Sequence, residues 1–301
     1  MEPIFKEWGP KWCASVFGHQ PVRLEHRLNE HPLFSRDALA DLIEHYPDDK
    51  YTLVHMGVQG SPRKLWRHGK IGRLSGSAVI DAIEEGRLWI NLLHVNEIDR
   101  RHQELLDQIY TEIHGRVASH PQTYRRISGI LISSPRAQVY YHFDTTGQNL
   151  WQISGSKRVY VYPATPPFIT EELLERCTLY HDETSIPYQP WYDEFASVFD
   201  LRPGQMLHWQ LNAPHRIENG DALSVSLTTE FYTRQIRRHV FATSGNGLLR
   251  EAGLRPHRTL TGPAFYAKMA VFAAAKKSGM LRSRQMRPVS FCLEEGIPDD
   301  R

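Results

Sequence analysis

Between residues 126 and 232 the chain breaks into short apolar, aromatic-rich segments, each closed by a turn signal, and this run most constrains what it can fold into. The segments are RISGILIS (126–133), QVYYHF (138–143), NLWQIS (149–154), RVYVYP (158–163), SVFDL (197–201), QMLHWQ (205–210), HRIEN (215–219) and ALSVSLTTEFY (222–232). Their β-branched and aromatic content fits a pleated, half-buried surface better than a helix. Ser134-Pro135, Thr146-Gly147, Gly155, Pro203-Gly204 and Asn219-Gly220-Asp221 separate them, and these are residue pairs that turns favour. Strands this short cannot bury themselves singly, so the run predicts a mainly β sandwich or barrel of the jelly-roll type.

The flanks read differently. Residues 1–34, punctuated by Trp8, Pro10, Trp12, Pro21 and Pro32, predict irregular or short extended structure. Ser35 is placed to cap a helix over RDALADLIEHY, and Ser77 to cap a second over AVIDAIEEG, closed by Gly86. YTLVHMGV (51–58) and RLWINLLHV (87–95) are strand-like, and 61–73 predicts a basic exposed loop or ribbon. Leu105, Leu106, Ile109, Ile113 and Val117 line one face of a helix of five to six turns from Asp99 to about Ser119. After Thr233 the strand pattern stops, and AFYAKMAVFAAAKK (264–277) predicts a further helix. The expected organisation is an α/β flank over 1–120 packed on the barrel, a barrel core over 121–232 with an insertion at 164–196, and a basic helical extension over 233–301.

Chemistry concentrates in the stretch from Tyr140 to Pro163. His142 and Asp144 have H-x-D spacing, and alternate residues of a strand share a face, so both reach one metal ion without a loop to bend them together. His215, 71 residues past Asp144 and just after Pro214, supplies a third ligand if its strand lies beside theirs. Two imidazoles and one carboxylate make a facial triad that leaves coordination positions open. Lys157, fifteen positions after His142, begins a strand expected to run antiparallel to the ligand strand. A lysine facing the barrel interior is costly unless it meets an anion. Sixteen histidines also guarantee chance pairs with acids. From the residues alone three classes stay open: an oxygenase, a binding protein whose metal is structural or absent, and a metal barrel with other chemistry such as an isomerase.

The blocks H-F-D…Q-N-L-W-Q-I-S-G-S-K-R-V-Y-V-Y-P and R-P-G-Q-M-L-H-W-Q-L-N-A-P-H-R-I-E-N resemble the JmjC-like, cupin-fold Fe(II)- and 2-oxoglutarate-dependent oxygenases, most closely the asparaginyl-hydroxylase-like branch. The resemblance covers roughly residues 120–232. It implies a double-stranded β-helix in which His142, Asp144 and His215 hold Fe(II) and Lys157 holds the far carboxylate of 2-oxoglutarate. It also implies co-substrate contacts from Gln148, where the family usually has Asn, and from Thr228. Val139 stands where a Thr is common, and Trp209 replaces a proline before the second histidine. The implied reaction uses O2, converts 2-oxoglutarate to succinate, and hydroxylates a protein side chain or a small molecule.

Partners are less defined by the sequence. Net charge is +2, yet twelve Lys/Arg face one acid, Glu251, between Tyr232 and Arg287. That asymmetry predicts either contact with nucleic acid or an acidic protein, or a solvated basic face complementing the acidic barrel. The apolar C-terminal helix predicts burial on the barrel or against a second copy, a homodimer being favoured. Tyr140, Tyr141, Trp151, Trp191, Tyr192 and Trp209 line either a substrate groove or the core. No apolar run approaches the roughly 20 residues of a membrane helix. The first 30 residues are too charged for a signal peptide. Cys13, Cys177 and Cys292 lack C-x-x-C spacing and read as reduced structural thiols. A cytoplasmic location is expected.

Overall fold

A computed structural model describes residues 2–6, 15–56, 66–117, 121–182, 184–279, 281 and 288–297. The readings that fall on Trp8, Pro10, Trp12, Cys13 and residues 57–65 lie outside them. The N-terminal strands are β1 (Val22–Glu25), β2 (Tyr51–Met56), β3 (Trp66–Lys70) and β4 (Leu88–Leu92). Helices α1 (Arg36–Glu44), α2 (Gly76–Glu85) and α3 (Arg100–Arg116) lie between and after them. The eight segments of the central run form β5 (Thr123–Ser133), β6 (Gln138–His142), β7 (Gly147–Ser154), β8 (Lys157–Val161), β9 (Ser197–Leu201), β10 (Gln205–Trp209), β11 (His215–Asn219) and β12 (Ser224–Thr233), with α4 (Glu171–Tyr180) in the insertion. Helices α5 (Arg234–Glu251) and α6 (Gly262–Lys277) and strand β13 (Val289–Cys292) follow.

The strands assort into a nine-stranded sheet, β1-β10-β7-β12-β5-β4-β2-β3-β13, and a four-stranded sheet, β6-β11-β8-β9. From β5 to β12 the chain passes back and forth between them, β8 and β9 being the one consecutive pair in the same sheet. The chain is mainly β, as expected, and its strands lie in two sheets, neither of which closes on itself. Between the sheets pack Leu150, Val159, Val161, Leu201, Leu207, Trp209, Ala213 and Ile217. A larger core fills the other face of the big sheet, where Ile90, Ile130, Trp151 and Leu227 meet Ile43, Ile80 and Ile109 of the helices.

Register decides which side chains face the inter-sheet space. On β12, Thr228 pairs with Leu150 and Glu230 with Gln148, whereas Leu227 pairs with Trp151 of the outer core. Strand side chains alternate faces, so Thr228 and Glu230 share the inner face with Gln148 and Leu150. On β8 the buried positions are Lys157, Val159 and Val161, with Arg158 outward.

Several expectations need correction. Lys157's strand is not the antiparallel neighbour of the ligand strand. The stretch 146–156 holds all of β7, which crosses to the other sheet, and β11 lies between β6 and β8. Ser75, not Ser77, caps α2, its hydroxyl accepting from the Ala78 amide. At its first residue, Gly76 lies against the Ala40 backbone of α1, a closeness that no Cβ would permit. The N-terminal flank does more than pack on the core, since β2, β3 and β4 extend its sheet and β1 pairs with β10. The C-terminal segment is not helical throughout, β13 pairing parallel with β3.

The insertion folds over the outer face of the small sheet, where Tyr141, Phe143, Tyr162, Phe168 and Tyr192 make a separate aromatic core. Arg216 ties it down through Asp193, and also bonds Glu218 on its own strand and the Tyr162 hydroxyl. Helix α6 buries Phe265, Lys268 and Ala275, leaving Tyr266 and Val271 exposed. Part of the C-terminal charge is engaged internally. Arg250 pairs with Glu172 and Glu175, Arg238 donates to the Leu260 carbonyl, and Lys268 donates to that of His257. Of the aromatics expected near the site, Trp151, Tyr141, Tyr192 and Trp209 are core, while Trp191 is exposed. Among the described residues no helix is long and apolar enough to cross a membrane.

Candidate metal centre

Strand β6 ends at His142, and His215 opens β11 directly opposite it. This pairing puts two imidazoles side by side, their ring centroids 4.1 Å apart. Asp144 lies just beyond the end of β6, so it reaches the site from the turn rather than from the pleat. One ligand atom from each of His142, Asp144 and His215 lies within 4.8 Å of the other two. The residues read as a triad from H-x-D spacing and a distant histidine are therefore brought together.

The backbone sets which nitrogen each ring presents. His142 Nδ1 is 2.7 Å from the Tyr140 carbonyl, and His215 Nδ1 is 3.0 Å from that of Ala213. A carbonyl only accepts, so both Nδ1 atoms carry a proton, and Nε2 is the nitrogen that each ring, when neutral, can offer to a cation. His215 Nε2 then lies 3.4 Å from Asp144 Oδ2. Burial, then the neighbouring His142, holds His215 well below the usual imidazole range. Burial likewise pushes the Asp144 carboxyl up, against the opposing effects of His142 and a hydrogen bond from Gln148. A lone pair and a carboxylate oxygen facing each other in a desolvated space repel unless a proton or a cation lies between them. Two imidazole nitrogens and one carboxylate oxygen, with Nδ1–H groups anchored on carbonyls, suit a first-row divalent metal with open positions. The Trp209 ring, 4.6 Å from His215, walls one side.

Lys157 is 2% exposed, and its Nζ has no hydrogen-bond partner among the described residues. Burial alone brings its pKa down to about 7. It faces Asn219 across the register, and Val161, four residues further along β8, faces His215. That spacing is about 13 Å along the strand. A buried amine without an acceptor is expensive, and an anionic group of a bound molecule is what its position lacks. Thr228 faces the same interior from β12, its hydroxyl donating to the Gly129 carbonyl at 3.3 Å. Gln148, at the level of Trp209 on β10, favours the charged form of both Asp144 and Glu230 through its side chain.

Glu230 was not among the expected site residues. Its carboxylate accepts from Thr146 Oγ1 at 3.1 Å, and burial, then the charge of Asp144, raises its pKa. The available signal was an acid two residues beyond Thr228 on an otherwise uncharged strand. Asn212, whose side-chain amide donates to the Asp144 carbonyl at 2.8 Å, carried no local signal.

No protein-family model matches the chain, and no curated protein matches it. Solved structures do. The Escherichia coli ribosomal oxygenase YcfD in complex with cobalt and 2-oxoglutarate has a TM-score of 0.54 and 16% identity, over 91% of this chain and 68% of that one. The same enzyme with cobalt and succinic acid gives 0.53 at 16% identity, again over 91% and 68%. At such identity the likeness shows the fold, which this chain shares with those oxygenases.

Proposed function

We propose that this protein is an Fe(II)- and 2-oxoglutarate-dependent dioxygenase that hydroxylates a protein side chain or a small molecule. One observation carries the reading. Two Nε2 lone pairs and a carboxylate converge on one point, and an acceptor-less lysine lies in the same interior further down the small sheet. The back-and-forth passage of the chain between two facing sheets supports a double-stranded β-helix. That YcfD structures of this fold hold cobalt with 2-oxoglutarate or succinic acid supports the choice of metal and co-substrate.

His142, Asp144 and His215 would hold the iron. When bound, iron and 2-oxoglutarate supply oxidative chemistry, in which O2 and the keto acid are consumed, succinate and CO2 are released, and a C–H bond becomes C–OH. The chain's own residues set the conditions. The Tyr140 and Ala213 carbonyls fix both imidazole tautomers. Lys157 receives the far carboxylate, Thr228 contributes a hydroxyl to the same interior, and Gln148 orients the Asp144 carboxylate. Leu150, Val159, Val161 and Leu207 keep the space between the sheets dry. A homodimer would use the exposed face of α6 with Tyr266 and Val271, and solution mass tests it.

The test is succinate formation from 2-oxoglutarate with Fe(II) and ascorbate, without a prime substrate. Slow turnover is expected in the wild type and none in folded His142→Ala and Asp144→Ala. Equal turnover in those variants removes the proposal, and so does a wild type that forms no succinate under any metal loading.

A further inference from the structure

The turn that carries Asp144 is held from behind by the C-terminal helical segment. Asn212 lies between β10 and β11, is 7% exposed, and has the left-handed backbone (φ 60°) that Asn tolerates. Its Nδ2 donates to the Asp144 carbonyl at 2.8 Å. Its Oδ1 lies 2.7 Å from Nε2 of His239, a residue of α5 that is 6% exposed. His239 Nδ1 in turn lies 3.0 Å from a guanidinium nitrogen of Arg258, in the link between α5 and α6.

These contacts have a single consistent set of proton positions. Arg258 only donates, so His239 Nδ1 accepts and Nε2 carries the proton. That proton goes to Asn212 Oδ1, which turns the Asn212 amide group toward the Asp144 carbonyl. Burial, then the Arg258 charge, depresses His239 to about 4, so the ring stays neutral near pH 7 and keeps this direction. Every donor meets an acceptor from Arg258 to the turn at Asp144. The residues also line a cavity of about 400 Å3 with Trp209 and His208, next to the metal-centre strands.

We infer that Arg258, His239 and Asn212 form a directional hydrogen-bond relay through which the C-terminal helical segment sets the position of the Asp144 carboxylate. Asn212 and His239 are positioning residues, and the segment beyond Thr233 serves the metal centre rather than only covering the sheet. The inference rests on the reading of His142, Asp144 and His215 as metal ligands.

Cobalt(II) titration of metal-free protein, followed by its visible absorption, is the experiment, paired with amide exchange of residues 143–147 without metal. Asn212→Gly keeps the backbone conformation and removes the amide, and His239→Leu breaks the middle link. Each is expected to weaken Co(II) about 10- to 100-fold, as loss of an outer partner of a ligand does, and to speed exchange at 143–147. His239→Gln, which can accept and donate at the same two places, should restore affinity. Lys276→Ala, which removes one charge from the exposed end of α6, should change neither readout. Wild-type affinity and wild-type exchange in Asn212→Gly overturn the relay, even if His239→Leu fails to fold. If wild-type protein binds no Co(II), the ligand reading fails, and the exchange data alone decide whether the relay holds the turn.

Discussion

Replacing Lys157 with Met separates what the lysine costs the fold from what it gives the site. Met keeps the length of the buried stem and removes the amine, whose pKa is depressed from 10.5 to about 7 by burial. At about 1.4 kcal/mol per pH unit, that interval corresponds to about 5 kcal/mol for keeping the charge inside. The folded state loses its proton near pH 7, whereas the unfolded chain keeps one until about pH 10.5. Between those values the unfolded chain binds more protons, so wild-type stability rises with pH across the window. Below it the full cost is present. Urea unfolding of metal-free protein should therefore find Lys157→Met more stable by several kcal/mol at pH 6, with the advantage shrinking toward pH 10. With Co(II) present, 2-oxoglutarate should raise the wild-type melting temperature, a ligand at 100 times its Kd adding about 2.7 kcal/mol. It should do nothing for Lys157→Met. A variant no more stable than wild type at pH 6, or one still protected by the keto acid, refutes the reasoning.

Three further outcomes are expected. Gly147→Ala puts a methyl group against the Phe231 ring and should cost about 1–3 kcal/mol. Phe231→Leu, destabilising in the wild type, should then partly restore stability, a sign change that a double-mutant cycle in urea detects. Arg216→Met leaves Asp193 and Glu218 without their cation and should cost about 2–3 kcal/mol, exposing the 164–196 insertion to proteolysis before the sheets unfold. Thr228→Val removes a hydroxyl from the inter-sheet space and should raise the KM for 2-oxoglutarate while leaving Co(II) affinity as in wild type.

How far the sequence carried the fold can be seen strand by strand. The eight segments from 126 to 232 each appear as a strand, because β-branched alternation and turn residues are local signals. Assignment of strands to sheets is not local. Nothing in Gly155 announces that β7 lies in one sheet and β8 in the other, so a hairpin reading made neighbours of β6 and β8 that β11 in fact separates. Ser75 and Ser77 are equally good caps by type, and the choice of Ser75, which brings Gly76 against α1, is a matter of tertiary packing that the local sequence does not display. At the site, His142 and Asp144 were legible from spacing, and His215 from a turn followed by a strand. Their company was not. Asn212, His239 and Arg258 are 27 and 19 residues apart and meet only because α5 packs behind the Asp144 turn. Glu230 was hidden among strand residues, since its place beside Asp144 depends on the β12–β7 register.

Crystals grown anaerobically with Mn(II) and 2-oxoglutarate, with anomalous data collected at the manganese edge, bear on the central claim most directly. One peak is expected, bound by Nε2 of His142, Nε2 of His215 and a carboxylate oxygen of Asp144, with the keto acid's far carboxylate on Lys157 Nζ. A peak held by other residues, no peak at all, or a keto acid that leaves Lys157 untouched would contradict it.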